Sequence, residues 1–178
     1  MPPDAIRKLL EAVKDGRIGL DEAVGRLGEV AELGFATLDL GRNDRCGFPE
    51  VIFAEGKTAE WVEMAVRRLV DAGQDAFVTR VNPTQAMHLA NRFPAAEQDA
   101  VARTFWLRGR ADRAPDAGCV CVVTAGTSDL PVAQEAAVTA RVLGTNAELI
   151  ADVGVAGIHR VLRQRDKLAA ADVVIVVA

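Results

Sequence analysis

Residues 119–133 have the sequence CVCVVTAGTSDLPVA, and this stretch decides the fold. Its apolar start, residues 120–123, predicts a buried strand. A tight loop of small residues follows, and Ser128 and Asp129 then stand where a helix with proline in its first turn would begin. A strand, a tight loop and a helix N-terminus in succession are typical of phosphate and nucleotide sites, because the start of a helix presents free backbone N–H groups.

Two interpretations of Ser128 and Asp129 remain open on this motif alone. Serine and aspartate are favoured helix N-caps, so the simpler interpretation is a cap without a ligand. In the functional interpretation, the negative charge of Asp129 holds ribose hydroxyls or organises water rather than meeting phosphate directly. One loop is a weak motif and does not decide between them.

The chain after residue 119 alternates strand and helix patterns. AELIADVG at 147–154 and AGIHRVLRQRDKLAAA at 156–171 form a second strand–helix unit, and the apolar strand DVVIVVA follows. This alternation predicts a parallel, doubly wound sheet, and the unbroken apolar character of the last strand predicts cover on both faces. Ligands of such sheets lie at the carboxyl ends of the strands, where residues 126–129 and 154–159 are expected.

The first part of the chain predicts a helical pair over residues 4–33 and a small α/β unit over 35–109. The polar segment 111–118, which contains proline and glycine, predicts a linker. We therefore divide the chain into residues 1–110, the linker 111–118 and residues 119–178. Within the small unit the patterns predict strands at 35–40, 50–53, 76–81 and 100–107, and helices at 58–71 and 84–91.

Composition narrows the class of protein. The formal net charge of -4 argues against a nucleic-acid surface. No apolar run is long enough to span a membrane, and the N-terminus lacks the apolar core of a signal peptide. Three cysteines, an odd number, suit a reducing cytoplasm, and Cys119 and Cys121 without a histidine nearby predict buried side chains rather than a metal site. We predict a cytoplasmic protein without nucleic-acid or membrane partners.

Three separated motifs carry a family resemblance: RCGFPEVIFAEGKT at 45–58, TAGTSDLPVAQEAA at 124–137 and ADVGVAGIHR at 151–160. They resemble the LarB family of nickel-pincer cofactor biosynthesis proteins, and the resemblance covers nearly the whole chain. The C-terminal part is similar to the aminoimidazole ribonucleotide carboxylases, the PurE-like proteins. The resemblance implies an α/β protein in which a helical pair and a small α/β domain precede an incomplete doubly wound, flavodoxin-like domain.

The resemblance also implies roles for particular residues. In the carboxylases a loop like AGTSD contacts the nucleotide, and a loop ending in His-Arg lines the catalytic pocket. His159 would accordingly be a catalytic proton-transfer group, although a solvent-facing histidine at a helix start explains it equally simply. The implied substrate-binding residues are Gly126, Thr127, Ser128, Asp129 and Arg160.

The charged segment 41–58 offers two further candidates. Arg45 and Lys57 flank a short apolar strand and could bind substrate phosphate or carboxylate by charge-assisted hydrogen bonds. The alternative is a solvated sheet edge. Cys46 lies next to Arg45, which could activate its thiol, but the resemblance places the nucleophile elsewhere.

The implied activity is a carboxylation. The protein would carboxylate the pyridinium ring of nicotinic acid adenine dinucleotide with CO2 or bicarbonate and hydrolyse the phosphoanhydride, in the presence of Mg2+. The products would be pyridinium-3,5-biscarboxylic acid mononucleotide, a precursor of the nickel-pincer cofactor of lactate racemase, and AMP. The family resemblance also implies a homo-oligomer, octamer-like in its relatives. The alternatives are an aminoimidazole ribonucleotide carboxylase of purine synthesis and a nucleotide-binding module without chemistry.

The chain departs from the family pattern in one respect. The family continues with a glycine-rich phosphate loop, further strands and a late cysteine that attacks the substrate ring. We therefore expect these 178 residues to be a fragment that is inactive by itself. An uncovered apolar last strand would also favour self-association.

Overall fold

A computed structural model describes residues 3–27, 30–109 and 118–178 of the chain. Two amphipathic helices come first, α1 (Pro3–Lys14) and α2 (Leu20–Leu27), as the sequence predicts. Leu9 of α1 and Ala23 of α2 are buried. None of the described helices is both long enough and apolar enough to cross a membrane.

A short antiparallel hairpin follows the helical pair. It consists of β1 (Val30–Glu32) and β2 (Thr37–Asp39), with Ala31 opposite Leu38. The prediction of helix up to residue 33 was wrong over β1. Ala31 and Leu38 both point into the core, so the alternation of a strand overrides the helical pattern here.

The next elements are α3 Arg42–Cys46, β3 Val51–Phe53, α4 Ala59–Asp71, β4 Ala76–Thr79, α5 Pro83–Arg92, β5 Glu97–Asp99 and β6 Thr104–Leu107. Their strands form a mixed sheet with the order β3-β4-β6-β5. β3 and β4 are parallel, whereas β6 is antiparallel to both of its neighbours. The helices α4 and α5 cover the sheet, and the short helix α3 precedes it.

The two long helices of this unit begin at strong caps. The Thr58 side chain accepts a hydrogen bond from the Trp61 N–H, and Asn82 and Gln85 form a capping box at α5. These signals explain why both helices were predicted within two residues of their observed ends. Their apolar faces pack against the sheet, and the shared core includes Ile52, Val62, Val66, Leu69, Val78, Leu89 and Phe105.

Helices α4 and α5 are also joined by a charged cluster around Glu63. The Glu63 carboxylate lies 2.6 Å from His88 Nε2, accepts a hydrogen bond from Arg67 Nε at 2.9 Å and lies 3.5 Å from Arg92 Nε. Burial raises the pKa of Glu63, but the hydrogen bonds from Arg67 and His88 outweigh it, so the pKa lies below its ordinary value. His88 thus has a structural partner.

The single strand predicted over residues 100–107 is instead the second half of a hairpin. The Asp99 carboxylate accepts hydrogen bonds from the backbone N–H groups of Val101 and Ala102, each at 2.9 Å. Arg103 adopts a left-handed conformation with φ 54°. Together they form a tight turn that ends β5 and delays β6 until Thr104.

The elements of the C-terminal part are β7 Cys119–Thr124, α6 Leu130–Val142, β8 Asn146–Ile150, α7 Ile158–Leu162, α8 Arg165–Ala170 and β9 Val173–Val177. The strands form a three-stranded parallel sheet with the order β8-β7-β9. The middle strand is the first of the three along the chain, an order found at the start of flavodoxin-like folds. The α/β class with a parallel, doubly wound sheet is thereby confirmed.

The helices lie on opposite faces of this sheet. Ala133 and Ala137 of α6 pack against Val122, whereas Val161 and Leu168 pack against Cys121 on the other face. The helical pattern over 156–171 corresponds to two short helices rather than to one.

The last strand was predicted to be covered on both faces, but only one face is covered, where Ile175 and Val177 pack against α6. Val173, Val174 and Val176 of β9 are 51%, 43% and 68% exposed. The reason is the position of the helices, which lie mainly over β7 and β8 and leave β9 at the edge.

The mixed sheet and the parallel sheet meet at α6. Asp99 accepts a hydrogen bond from Gln134 at 2.8 Å, and Arg80 Nε lies 2.8 Å from Glu135 Oε2. This Nε is buried and makes no hydrogen bond within the described residues, so the Arg80 contact is an ion pair. The predicted linker 111–118 lies outside the described residues except for Gly118, and the domain division remains a proposal.

Candidate functional site

The strand order places a topological switch point at the carboxyl end of β7, and we refer to the space beside it as the crevice. β8 lies on one side of β7 and β9 on the other, so the chain direction across the sheet reverses at β7. The Ala125 N–H donates a 3.1 Å hydrogen bond to the carbonyl of Val177, so the loop after β7 leaves the sheet next to β9. Ligands of open α/β sheets bind at such switch points.

The loop at 126–129 is held by one of its own residues. Residues Thr127–Asp129 form a 3-10 turn, and Asp129 Oδ2 accepts a 2.9 Å hydrogen bond from the Gly126 N–H. Asp129 makes no side-chain cap to α6, so the carboxylate closes the loop rather than the helix. Thr127 and Ser128 are exposed at the crevice.

A second loop, residues 151–160, is fixed directly onto the first. The N–H groups of Val153 and Gly154 donate to the carbonyls of Thr124 and Ala125 at 3.0 and 2.9 Å. A Cβ atom at Gly154 would lie 2.6 Å from the Ala125 oxygen. Only glycine allows this close approach of the two backbones. The contact brings the motifs at 124–137 and 151–160 together at one edge of the sheet.

Arg160 is held across the second loop. Its Nη1 lies 2.7 Å from Asp152 Oδ2 and donates a 2.8 Å hydrogen bond to the Asp152 carbonyl. The guanidinium lies over Gly157, where a Cβ would be 2.7 Å from Arg160 Nε. The cation is therefore fixed on the second loop, which is itself hydrogen-bonded to the loop after β7.

His159 lies in the first turn of α7 and is exposed. Its ring makes no hydrogen bond within the described residues. Both ring nitrogens thus remain available, which suits a group that exchanges protons with a substrate and equally suits a solvent-facing side chain.

The amino-acid sequence is similar to those of known proteins. The sequence profile of the LarB/PurE-like N-terminal domain matches residues 30–110, which include the mixed sheet. An uncharacterized protein of the archaeon Methanocaldococcus jannaschii is 33% identical over 187 residues, which cover 97% of this chain and 72% of the relative. The chain belongs to the LarB/PurE-like family. This confirms the resemblance inferred from the three motifs and identifies a member of a carboxylase-related family.

The candidates outside the parallel sheet lie in the LarB/PurE-like N-terminal domain. Lys57 follows β3, and its Nζ donates a 2.6 Å hydrogen bond to the carbonyl of Phe53 at the end of that strand. Arg45 lies in α3, but its side chain is outside the described residues. Neither residue is joined to the loops after β7 and β8 by a contact that the structure describes.

None of the three cysteines lies at the two loops. Cys46 is exposed at the end of α3. Cys119 begins β7 and is roughly 16 Å from Thr124 at about 3.3 Å per residue. Cys121 is buried, and burial, followed by the charges of Glu148 and Cys119, raises the pKa of its thiol. A raised pKa keeps this thiol protonated and inert.

The donor set does not fit a Mg2+ site made of protein alone. Within the residues that the structure describes, no three His, Cys, Asp or Glu side chains gather closely enough to hold a metal ion. The carboxylates nearest the crevice belong to Asp129 and Asp152, and each already binds a donor of its own loop.

Two residues that build the site, Thr124 and Asp152, were not predicted to have a role in it. Thr124 is fully buried, and its Oγ1 accepts a 2.9 Å hydrogen bond from the Asp152 N–H. Asp152 has a left-handed φ of 57°, a conformation that aspartate tolerates better than most residues. The available signal was the position of Asp152, two residues after the end of a strand. The contact of Gly154 with Ala125 had no sequence signal, because it depends on the pairing of β7 with β8.

Proposed function

We propose that this LarB/PurE-like protein carboxylates the pyridinium ring of nicotinic acid adenine dinucleotide and hydrolyses its phosphoanhydride. CO2 or bicarbonate supplies the carboxyl group, and the products are pyridinium-3,5-biscarboxylic acid mononucleotide and AMP. The observation that carries the proposal is the union of the loops 124–129 and 151–160 at the switch point of the parallel sheet. Membership of a carboxylase-related family supports the reaction class.

In this proposal each residue at the crevice has its own role in binding the substrate. Thr127 and Ser128 bind the ribose and phosphate of the mononucleotide half. Gly126 lets the substrate come close to the loop because it has no side chain. Asp129 keeps the loop closed by its hydrogen bond to Gly126. Arg160 binds an anionic group of the substrate, because a guanidinium pairs well with phosphate and carboxylate.

The chemical step adds a thiolate to the electron-poor ring. The bond from sulfur to carbon turns the ring into a dienamine, and the dienamine carbon attacks CO2. Loss of the ring proton at that carbon, with departure of the thiolate, restores the aromatic ring. The balance is one ring proton exchanged for one carboxylate. We propose that His159 accepts this proton.

We propose that the thiolate comes from a cysteine other than Cys46, Cys119 and Cys121, because none of these three belongs to the two loops. Lys57 and Arg45 of the N-terminal domain remain proposed contacts for the distal phosphate or carboxylate. Mg2+ would enter with the substrate pyrophosphate, which commonly supplies ligands to this ion, and no step is assigned to it. A cytoplasmic homo-oligomer, octamer-like as in the carboxylase relatives, belongs to the same proposal.

The experiment compares binding with turnover. The 178-residue chain is titrated with nicotinic acid adenine dinucleotide by calorimetry. It is then incubated with this dinucleotide, 13C-bicarbonate and MgCl2, and the mixture is analysed by mass spectrometry. We expect binding without labelled product from this chain. The longer Methanocaldococcus jannaschii relative, assayed beside it, should give AMP and a mononucleotide that carries one labelled carboxyl group.

The same assay separates the alternatives. Carboxylation of aminoimidazole ribonucleotide by the relative, with no reaction of the dinucleotide, would favour a purine-pathway carboxylase. Binding by both proteins without product from either would favour a nucleotide-binding module, an alternative that the position of the three cysteines supports. Absence of dinucleotide binding by both proteins would contradict the proposed function altogether.

A further inference from the structure

The left-handed residue that follows β8 is joined to two residues of the candidate site by three contacts. The Asp152 N–H donates to the buried Thr124 Oγ1 at the end of β7. Its carbonyl and its carboxylate both bind Nη1 of Arg160, at 2.8 and 2.7 Å. A continuous chain of contacts therefore runs from the central strand through Asp152 to the guanidinium.

We propose that Asp152 is the positioning residue of Arg160, fixing the guanidinium so that its remaining N–H groups meet an anionic group of the substrate. The two acceptors of Asp152 occupy a single nitrogen of Arg160. Nη2 and Nε have no hydrogen-bond partner among the described residues, so they can meet a phosphate or a carboxylate. The proposal rests on the proposed function only for the ligand, since the contacts between Asp152 and Arg160 exist without one.

The energetic consequence concerns affinity rather than stability. The side chains of Arg160 and Asp152 are 36% and 51% exposed, and ion pairs as exposed as this one contribute little to folding. A flexible arginine, however, must be ordered when a ligand binds, and that cost lowers the affinity. Asp152 removes this cost in advance.

The backbone conformation of Asp152 allows a substitution that removes its side chain alone. Asp152 has φ 57°, a conformation that glycine adopts without strain. Asp152→Gly therefore keeps both backbone contacts, from the N–H to Thr124 and from the carbonyl to Arg160, and removes only the carboxylate. Asp166→Asn, which removes an exposed carboxylate on α8, is the matched control.

The first measurement is a double-mutant cycle on the affinity for nicotinic acid adenine dinucleotide. We expect Asp152→Gly to raise Kd about tenfold and Arg160→Gln to raise it by at least as much. The double variant should bind like Arg160→Gln alone, because Asp152 acts through Arg160. Melting temperatures should stay within about 2 °C of the parent. An unchanged Kd for Asp152→Gly, or additive effects in the double variant, would overturn the proposal.

The second measurement needs no nucleotide and so separates this inference from the proposed function. The Nε–Hε group of Arg160 is observed by NMR in the free protein, assigned by its loss in Arg160→Gln. A rigid signal in the parent and in Asp166→Asn, but a mobile one in Asp152→Gly, supports the positioning role even when the dinucleotide does not bind. Equal rigidity in Asp152→Gly would refute it.

Discussion

The backbone nitrogen of Gly154 lies 2.9 Å from the carbonyl oxygen of Ala125, and this contact joins the two loops of the candidate site. A side chain at position 154 would place Cβ only 2.6 Å from that oxygen. Because this oxygen belongs to the backbone, it cannot move away by a rotamer change as a side-chain atom could. The spacing of the loops, and with it the shape of the crevice, depends on this glycine.

Gly154→Ala should therefore separate the loops. We expect a loss of about 1–3 kcal/mol in the free energy of unfolding, from overpacking and a weakened hydrogen bond, together with weaker dinucleotide binding. Urea denaturation and calorimetry measure the two effects. Gly118→Ala is the control, since its nearest neighbour would be 3.9 Å away. Equal behaviour of the two variants would show that the loops adjust freely.

Asp129 can be tested at a single position with two substitutions. Asp129→Asn keeps an acceptor for the Gly126 N–H but loses the charge, whereas Asp129→Ala loses both. If the charge contributes to binding, both should weaken nucleotide affinity by about 1–3 kcal/mol. Asparagine that binds like the parent in calorimetry, with alanine weakened, would restrict Asp129 to closing the loop.

The proposed base, His159, is tested in a form of the protein that gives labelled product in the bicarbonate assay. His159→Gln should lower kcat by about 10²-fold or more while KM and the melting temperature change little. The chain contains two histidines, and His88→Gln serves as the control. His88 contacts Glu63 in the N-terminal domain and does not belong to the two loops at the crevice. Near-normal turnover of His159→Gln across pH 6–8 would remove it from the mechanism.

Glu63 makes the stability of the N-terminal domain depend on pH. Its pKa is lowered in the folded state, so its contribution is complete above the ordinary value of 4.5 and is lost as the pH falls through the folded pKa. Glu63→Gln should cost about 1–2 kcal/mol at pH 7, because Arg67, His88 and Arg92 lose their partner. The difference from the parent should shrink in acid.

Urea titrations at pH 7 and pH 3.5 measure this difference. Glu11→Gln, at an exposed position of α1, should change stability little at either pH. A Glu63→Gln penalty of the same size at both pH values would show that packing, and not charge, is what Glu63 contributes.

The exposed valines of β9 predict self-association. Val174 and Val176 share the face that α7 and α8 leave uncovered, and the outer edge of β9 has no neighbouring strand within the described residues. Val176→Lys should lower the concentration-dependent increase in mass seen by light scattering. Val101→Lys, on a turn of the mixed sheet, should not. Unchanged association of Val176→Lys would locate the contact elsewhere.

Much of the parallel sheet could be predicted from the sequence, because its signals are local. The apolar runs of β7 and β9, the small-residue loop after β7 and the proline at the start of α6 each act within a few residues. The location of the two loops at one edge followed from the rule that ligands bind at the carboxyl ends of parallel strands.

What could not be predicted depends on pairing between distant segments. The β5–β6 hairpin is set by the Asp99 carboxylate, which binds the N–H groups that a continuous strand would have used for pairing. The contacts of Thr124 with Asp152 and of Ala125 with Gly154 exist only because β7 and β8 pair in one register. The exposure of β9 reflects where the helices lie, which hydrophobic periodicity does not encode.

The central position of β7 has a consequence for biosynthesis. Val120 leaves the ribosome long before either of its pairing partners, Ala147 and Val173. During that interval both edges of this apolar strand lack a neighbour, and only α6 is available to shield one face. We expect slower synthesis between α6 and β9 to lengthen the time for which β7 is exposed.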